Sequence, residues 1–182
     1  DRGYVKVFSY NSDGDNWIQK GSTIYGDNQG DGAGVGVQLN ENGSILAISH
    51  PRTTWKPLYN KGYVKVFEYI DDEWKQLGQT IDEDALYNND YGWNIDLSSD
   101  GLTIIVGAHF WEDYFGNSST DLGRTHEPTQ VFEFDSTSSK WKQKGQDLFG
   151  STDYTGHNVK MNSDGSRIAI GSYNRNLTEV YE

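Results

Sequence analysis

Three observations in the sequence predict an all-β fold. Strand formers are abundant: 12 Tyr, 7 Phe and 6 Trp accompany many Val and Ile, while there is one Met and apolar residues reach only 34%. The 21 Gly fall mostly between short alternating or apolar runs, often as Asn-Gly or Asp-Gly. The same runs also recur along the chain, so one structural unit is used several times.

In chain order, the first element is the strand Gly3-Tyr4-Val5-Lys6-Val7-Phe8, repeated letter for letter at Gly62-Tyr63-Val64-Lys65-Val66-Phe67. A weaker copy is Thr129-Gln130-Val131-Phe132-Glu133-Phe134, and Val180-Tyr181-Glu182 is a trace of another. In this strand Tyr, Lys and Phe face one way and the two Val the other. The second element is Trp-x-Gln-x-Gly, at Trp17–Gly21, Trp74–Gly78 and Trp141–Gly145. Next comes a Gly that opens an alternating strand: Gly34–Leu39, Gly92–Leu97 and Gly156–Met161. Four-residue turns follow at 40–43, 98–101 and 162–165, each ending in Gly, which supplies a positive φ without steric cost. The last element is a nearly continuous apolar strand, Ile45–Ser49, Thr103–Gly107 and Arg167–Gly171, as expected of strands covered on both faces.

Each unit thus holds four short antiparallel strands with periodic Gly and aromatic marks. That pattern predicts β-propeller blades: about three blades in one segment spanning 1–182, with repeats at 3–61, 62–128 and 129–179 and a trace at 180–182. Trp17, Trp74 and Trp141 are expected to be structural wedges packed between neighbouring blades, and Gly34, Gly92 and Gly156 structural glycines. Propellers typically need 4–8 blades. The expected solutions are a six-bladed ring of two chains or a longer array. Asp1 in place of Met and the same strand element at both ends favour the longer array.

The order of Gly, strand, turn, apolar strand and small-residue triplet resembles the FG-GAP repeat of integrin α-chain propellers and related secreted proteins. The FG-like positions are Ala33-Gly34, Tyr91-Gly92 and Thr155-Gly156. The GAP-like positions are Ser49-His50-Pro51, Gly107-Ala108-His109 and Gly171-Ser172-Tyr173. The chain is also similar to uncharacterised Trp-x-Gln-x-Gly propeller repeats of surface proteins. The resemblance implies a secreted or cell-surface location. It also implies a calcium loop of the type Asp-x-Asp-x-Asp-Gly, but here the turn holds at most one Asp (Asp100, Asp164), too few for the roughly six to eight oxygens calcium takes. No cofactor is therefore expected, calcium in the acidic loops being the one alternative.

The formal charge is −12 over 182 residues. It argues against nucleic acid and anionic membrane surfaces as partners, since both are bound through clustered Lys and Arg. No apolar run approaches the ~18 residues of a spanning helix, and there is no Cys. Sequons at Asn42, Asn117 and Asn176 fall in turns or loops and are glycosylation candidates. The acidic runs 13–15, 27–31, 82–84 and 88–90 read as turn formers, because Asp and Asn bond their own backbone. Asp31, Asn89 and Asp153 recur three residues before the repeat Gly, again as turns. The four His (His50, His109, His126, His157) share no metal spacing, and packing accounts for those at repeat positions.

The loop 110–128 and its counterpart 52–61 carry Trp111, Tyr114, Phe115, Trp55 and Tyr59, candidate contacts for a protein or glycan partner. No catalytic motif is present. The expectation is a non-enzymatic scaffold, adhesion or assembly module. Its partner would be protein, through self-assembly or further repeats, with glycans as a second class. The alternatives are a lectin-like propeller using Trp55, Trp111 and Tyr114, and a propeller glycosidase or lyase, which would need convergent carboxyls of raised pKa.

Overall fold

The computed structural model describes residues 1–51, 62–82, 91–108, 128–149, 155–172 and 177–181. All regular structure in them is β, and every strand pairing is antiparallel. No helix is long and apolar enough to cross a membrane.

Four strand groups follow one another. The first contains β1 (Tyr4–Val5), β2 (Phe8–Asn11), β3 (Asn16–Gln19) and β4 (Ile24–Tyr25), with β1 on β4 and β2 on β3. The second is the sheet β5 (Val37–Leu39), β6 (Ile45–His50), β7 (Tyr63–Ile70) and β8 (Glu73–Gln76), and β9 (Ile81–Asp82) adds to the start of β7. The third is β10 (Asn94–Leu97), β11 (Thr103–Gly107), β12 (Gln130–Asp135) and β13 (Lys140–Gln143). The fourth is β14 (Thr155–Met161), β15 (Ile168–Ser172) and β16 (Leu177–Tyr181). A sheet therefore joins the Gly-led hairpin of one sequence repeat to the Tyr-Val strand and Trp strand of the next.

The hairpin turns form as their sequences dictate. Gly43, Gly101 and Gly165 take the left-handed conformation, at φ 69, 77 and 68°. The first residue of each turn locks it with its side chain. Asn40 Oδ1 accepts the Ile45 N–H at 2.8 Å, Ser98 Oγ accepts the Thr103 N–H at 2.9 Å, and Asn162 Oδ1 accepts the Arg167 N–H at 2.8 Å. The turns are also stitched to one another. The Glu41 N–H donates to Ser99 O at 3.1 Å, and the Ser99 N–H to Ser163 O at 2.7 Å. Consecutive sheets thus stand side by side with their hairpin tips in register.

One apolar cluster lies between each pair of neighbours. Val5, Val7, Leu46, Ile48 and Phe67 join the first group to the second. Val64, Val66, Ile95, Ile104, Val106 and Trp141 join the second to the third. Ile105, Val131, Val159, Ile168 and Ile170 join the third to the fourth. β6 and β11 are buried along their whole length, which explains their unbroken apolar sequence.

The repeated Trp behaves differently in its three copies. Trp74 covers Gly21, where an added Cβ would lie 2.8 Å from Trp74 Cδ1, and its Nε1–H donates to Lys20 O at 2.9 Å. Trp141 covers Gly78 at the same 2.8 Å and donates to Leu77 O at 2.8 Å. Each indole thus sits on the glycine of the preceding unit. Trp17 departs from the expected wedge: it is 66% exposed, with only Tyr10 edge-on at 5.4 Å. An indole needs the glycine of an earlier unit, and no described unit precedes this one.

Trp141→Ala is expected to lower the unfolding free energy by about 3–5 kcal/mol, as for other buried aromatics. Trp17→Ala should change it by less than about 0.5 kcal/mol. Urea denaturation distinguishes the two, and equal losses would show that the glycine seat contributes nothing.

Candidate functional site

The most unusual side chains meet where the end of β6 and the start of β7 approach the β4–β5 connection. His50 ends β6 and Tyr63 begins β7, and the strand register places them directly opposite. Cross-strand partners on one face lie close enough for their rings to touch. Here the imidazole and phenol stack at 4.3 Å between centroids, 11° from parallel. Lys65, two residues along β7, projects on the same face, and its Nζ is 5.6 Å from the Tyr63 ring centre.

The β4–β5 connection supplies two carboxylates. Asp31, buried, accepts the Tyr63 hydroxyl at 2.5 Å and the Asn28 N–H at 2.7 Å through Oδ2. Asp27 pairs with Lys65 Nζ at 2.6 Å. Asp31 is thus a turn former, as expected, and in addition the acceptor that orients Tyr63.

His50 is 1% exposed, and its Nδ1 has no hydrogen-bond partner among the described residues. Most buried polar atoms are satisfied, so an orphan at such a position points to function or to a water. Burial, helped by the Lys65 charge, lowers the His50 pKa to about 4, so the imidazole is neutral at pH 7. Burial and the bond to Asp31 push the Tyr63 phenol well up, so it keeps its proton. The site therefore holds a neutral imidazole with an unused nitrogen, a neutral phenol and one ammonium.

This set is not repeated among the described residues. Seven residues after the turn glycine, the second sheet has His50, the third has Ala108 and the fourth has Ser172, all buried. At the next junction the polar chain is Tyr91 hydroxyl to Gln130 Oε1 at 2.8 Å, then Gln130 Nε2 to Asp147 at 2.8 Å, and it involves no His. The expectation that packing accounts for His50 is therefore incomplete. The position belongs to the repeat, but the imidazole belongs to one copy alone. The departure of His50 from Ala108 and Ser172 at one register position was the available sequence signal. Tyr63 and Lys65 left none, since Tyr4 and Lys6 repeat them.

The other expected site residues fall in two groups. Trp55, Tyr59, Trp111, Tyr114, Phe115, Asn117 and Asn176 lie outside the described residues, as do His109, His126, Asn89 and Asp153. Asn42 is exposed on the β5–β6 turn, where its Oδ1 accepts the Ser44 N–H at 2.9 Å. Gly34, Gly92 and Gly156 all have positive φ, at 97, 84 and 87°. Among the described residues no three His, Asp or Glu side chains gather as a metal set. The Asp135 carboxyl is pulled down by Lys142 and the Asp164 carboxyl by Ser166, opposite to the shift a glycosidase acid requires.

No family model and no curated protein matches the sequence. Solved structures do match. A candidate 6-phosphogluconolactonase of Bacteroides uniformis superposes with a TM-score of 0.61 at 17% identity, over 100% of this chain and 44% of that one. A second, from Bacteroides fragilis, gives a TM-score of 0.60 at 18% identity, over 98% of this chain and 44% of that one. The chain spans less than half the length of these structures. At such identity the likeness concerns the fold. It corrects the expectation of a non-enzymatic structural or adhesion module, because the proteins found to share the fold are candidate enzymes of sugar-lactone chemistry. Fold and resemblance alone had carried the scaffold reading, and neither determines activity.

A depressed His50 pKa carries a pH signature. The folded state prefers the neutral ring, so its contribution to stability is complete above the ordinary His pKa of about 6.5 and is lost as pH falls toward 4. The full contribution is on the order of 3 kcal/mol. The stability difference between wild type and His50→Gln should therefore shrink by about that amount between pH 7 and 4 in urea denaturation. A pH-independent difference would refute a neutral buried His50.

Proposed function

We propose that the four strand groups are successive blades of a β-propeller and that the chain forms part of a hydrolase acting on a sugar lactone. The orphan Nδ1 of the neutral, buried His50 carries this reading. The shared fold with candidate lactonases supports it, and so does the position of the cluster at the connections between strands, where scaffolds tend to hold functional residues.

In this reading His50 Nδ1 holds a water and takes its proton as the water attacks the lactone carbonyl. A neutral imidazole has the lone pair that this step requires. The Tyr63 ring, stacked on the imidazole, fixes the plane of the base, and Asp31 fixes the ring by accepting the phenol proton. Among the described residues the ammonium of Lys65 is the cation beside the rings, and it stabilises the negative charge that develops on the carbonyl oxygen. When the ring oxygen leaves, the proton held on His50 passes to it, and the open-chain acid is the product. Among the described residues Asp27 and Asp31 outnumber Lys65, a balance that favours an uncharged lactone over a phosphorylated one.

The test is hydrolysis of glucono-δ-lactone and of its 6-phosphate, followed by proton release against the spontaneous rate. The chain should accelerate opening of the uncharged lactone, and His50→Gln should reduce the enzymatic rate by about 10²–10⁴-fold. Tyr63→Phe, which keeps the stack but frees Asp31, should cost less. No rate above background, or full activity in His50→Gln, would overturn the proposal.

A further inference from the structure

The Trp strands β8 and β13 are built alike and differ in what meets their outer edge. The Tyr69 N–H donates to Ser44 O at 2.8 Å, on the β6 side of β7, and Trp74 stands opposite Tyr69. In such an antiparallel pair both residues turn their backbone groups away from each other, so the Trp74 N–H and C=O point out of the sheet edge. The same holds on β13, where the Phe134 N–H donates to Leu102 O at 2.9 Å and Trp141 stands opposite Phe134.

On β13 the outward groups are sealed. Gln79 Nε2 donates to Trp141 O at 2.8 Å and its Oε1 accepts the Trp141 N–H at 2.9 Å, so a side-chain amide stands in for a neighbouring strand. On β8 the corresponding place, after Gly21, holds Ser22. Its hydroxyl and its N–H both go to the Glu73 carboxylate, at 3.0 and 3.2 Å. β8 is the end strand of its sheet, and among the described residues nothing takes the Trp74 N–H and C=O. Such an edge is a template for a further strand.

The residues flanking Trp74 decide which strand fits. Glu73 and Lys75 are exposed. When two copies of β8 run antiparallel with Trp74 opposite Trp74, each Glu73 faces the other copy's Lys75. Two opposite-charge pairs then surround two backbone hydrogen bonds. Within one chain the Lys75 ammonium pairs with Asp71 at 2.7 Å, and that carboxylate is 79% exposed, so water replaces the ammonium when it turns to the second copy. Glu73 is already held beside the edge by Ser22. In the same register β13 would set Lys140 against Lys142, so like charges and Gln79 both exclude it.

We propose that β8 is a self-complementary edge through which two copies of this chain associate about a two-fold axis, their second sheets becoming one continuous sheet. The contact is well below the roughly 1,200 Å² of a stable interface, so the expected dimer is weak, with a Kd on the order of 0.1 mM. At 0.15 M salt, where the Debye length is about 8 Å, the repulsion between two chains of charge −12 is screened while the contact pairs persist.

Sedimentation equilibrium of the full chain up to about 1 mM in 0.15 M salt is the test. Wild type should dimerise. Lys75→Glu sets Glu against Glu twice and Glu73→Lys sets Lys against Lys twice, so each alone should associate at least about tenfold more weakly. Mixed one to one, the two variants should dimerise again, because both facing pairs are then of opposite charge. Lys142→Glu, the same charge change on β13, should associate as wild type does. A monomeric wild type, unchanged association in Lys75→Glu, or a mixture that stays monomeric would each overturn the proposal.

Discussion

An indole packed against a glycine is the contact on which the order of the sheets depends. A side chain at Gly21 or Gly78 would collide with the ring, so only glycine leaves room for it. The carbonyl just before that glycine then faces the indole N–H and satisfies the one polar atom the ring carries into the interface. Burial and hydrogen bonding therefore select the same geometry, and the outer strand of each sheet is held against the back of the previous one. Trp17, for which the described residues hold no such glycine, is 66% exposed.

Because each apolar cluster lies between two neighbouring sheets, stability couples nearest neighbours and little else. This frees individual positions. The backbone at His50 and Ser172 is held by the strand ladder, Ala108 follows directly on β11, and each lies seven residues after its turn glycine, whatever side chain it bears. A buried imidazole can thus replace a methyl group or a hydroxyl without altering the unit. Its consequences stay local: the ring stacks on Tyr63, loses its charge to burial and keeps a nitrogen free.

Much of the fold was legible in the sequence because it is set by contacts close along the chain. The turn glycines and the unbroken apolar strands β6 and β11 read correctly. What failed depended on contacts between distant segments. Trp17 could not be told from Trp74, because the difference lies in the unit before it. The site was less legible still. His50 meets Tyr63 only through the register across a long connection, and Asp31 meets Tyr63 from 32 residues away. Function was the least legible, since the recurring letters describe the scaffold and the proposed chemistry lies where one copy differs.

The −12 charge acquires meaning at this cluster. An acidic surface disfavours anions, and Lys65, the cation beside the stacked rings among the described residues, is tied to Asp27. That pair is unequal: the Lys65 side chain is 14% exposed and the Asp27 side chain 54%. The carboxylate can therefore be solvated when the ammonium turns to another oxygen, whereas the ammonium has little access to water and keeps a near neighbour. A developing oxyanion beside the rings offers such a neighbour, and a carbonyl in its ground state offers a weaker one. A partly buried ammonium with an exposed, releasable counter-ion thus favours charge that appears during reaction over charge already present on the ligand, which is the condition for catalysis rather than tight ground-state binding.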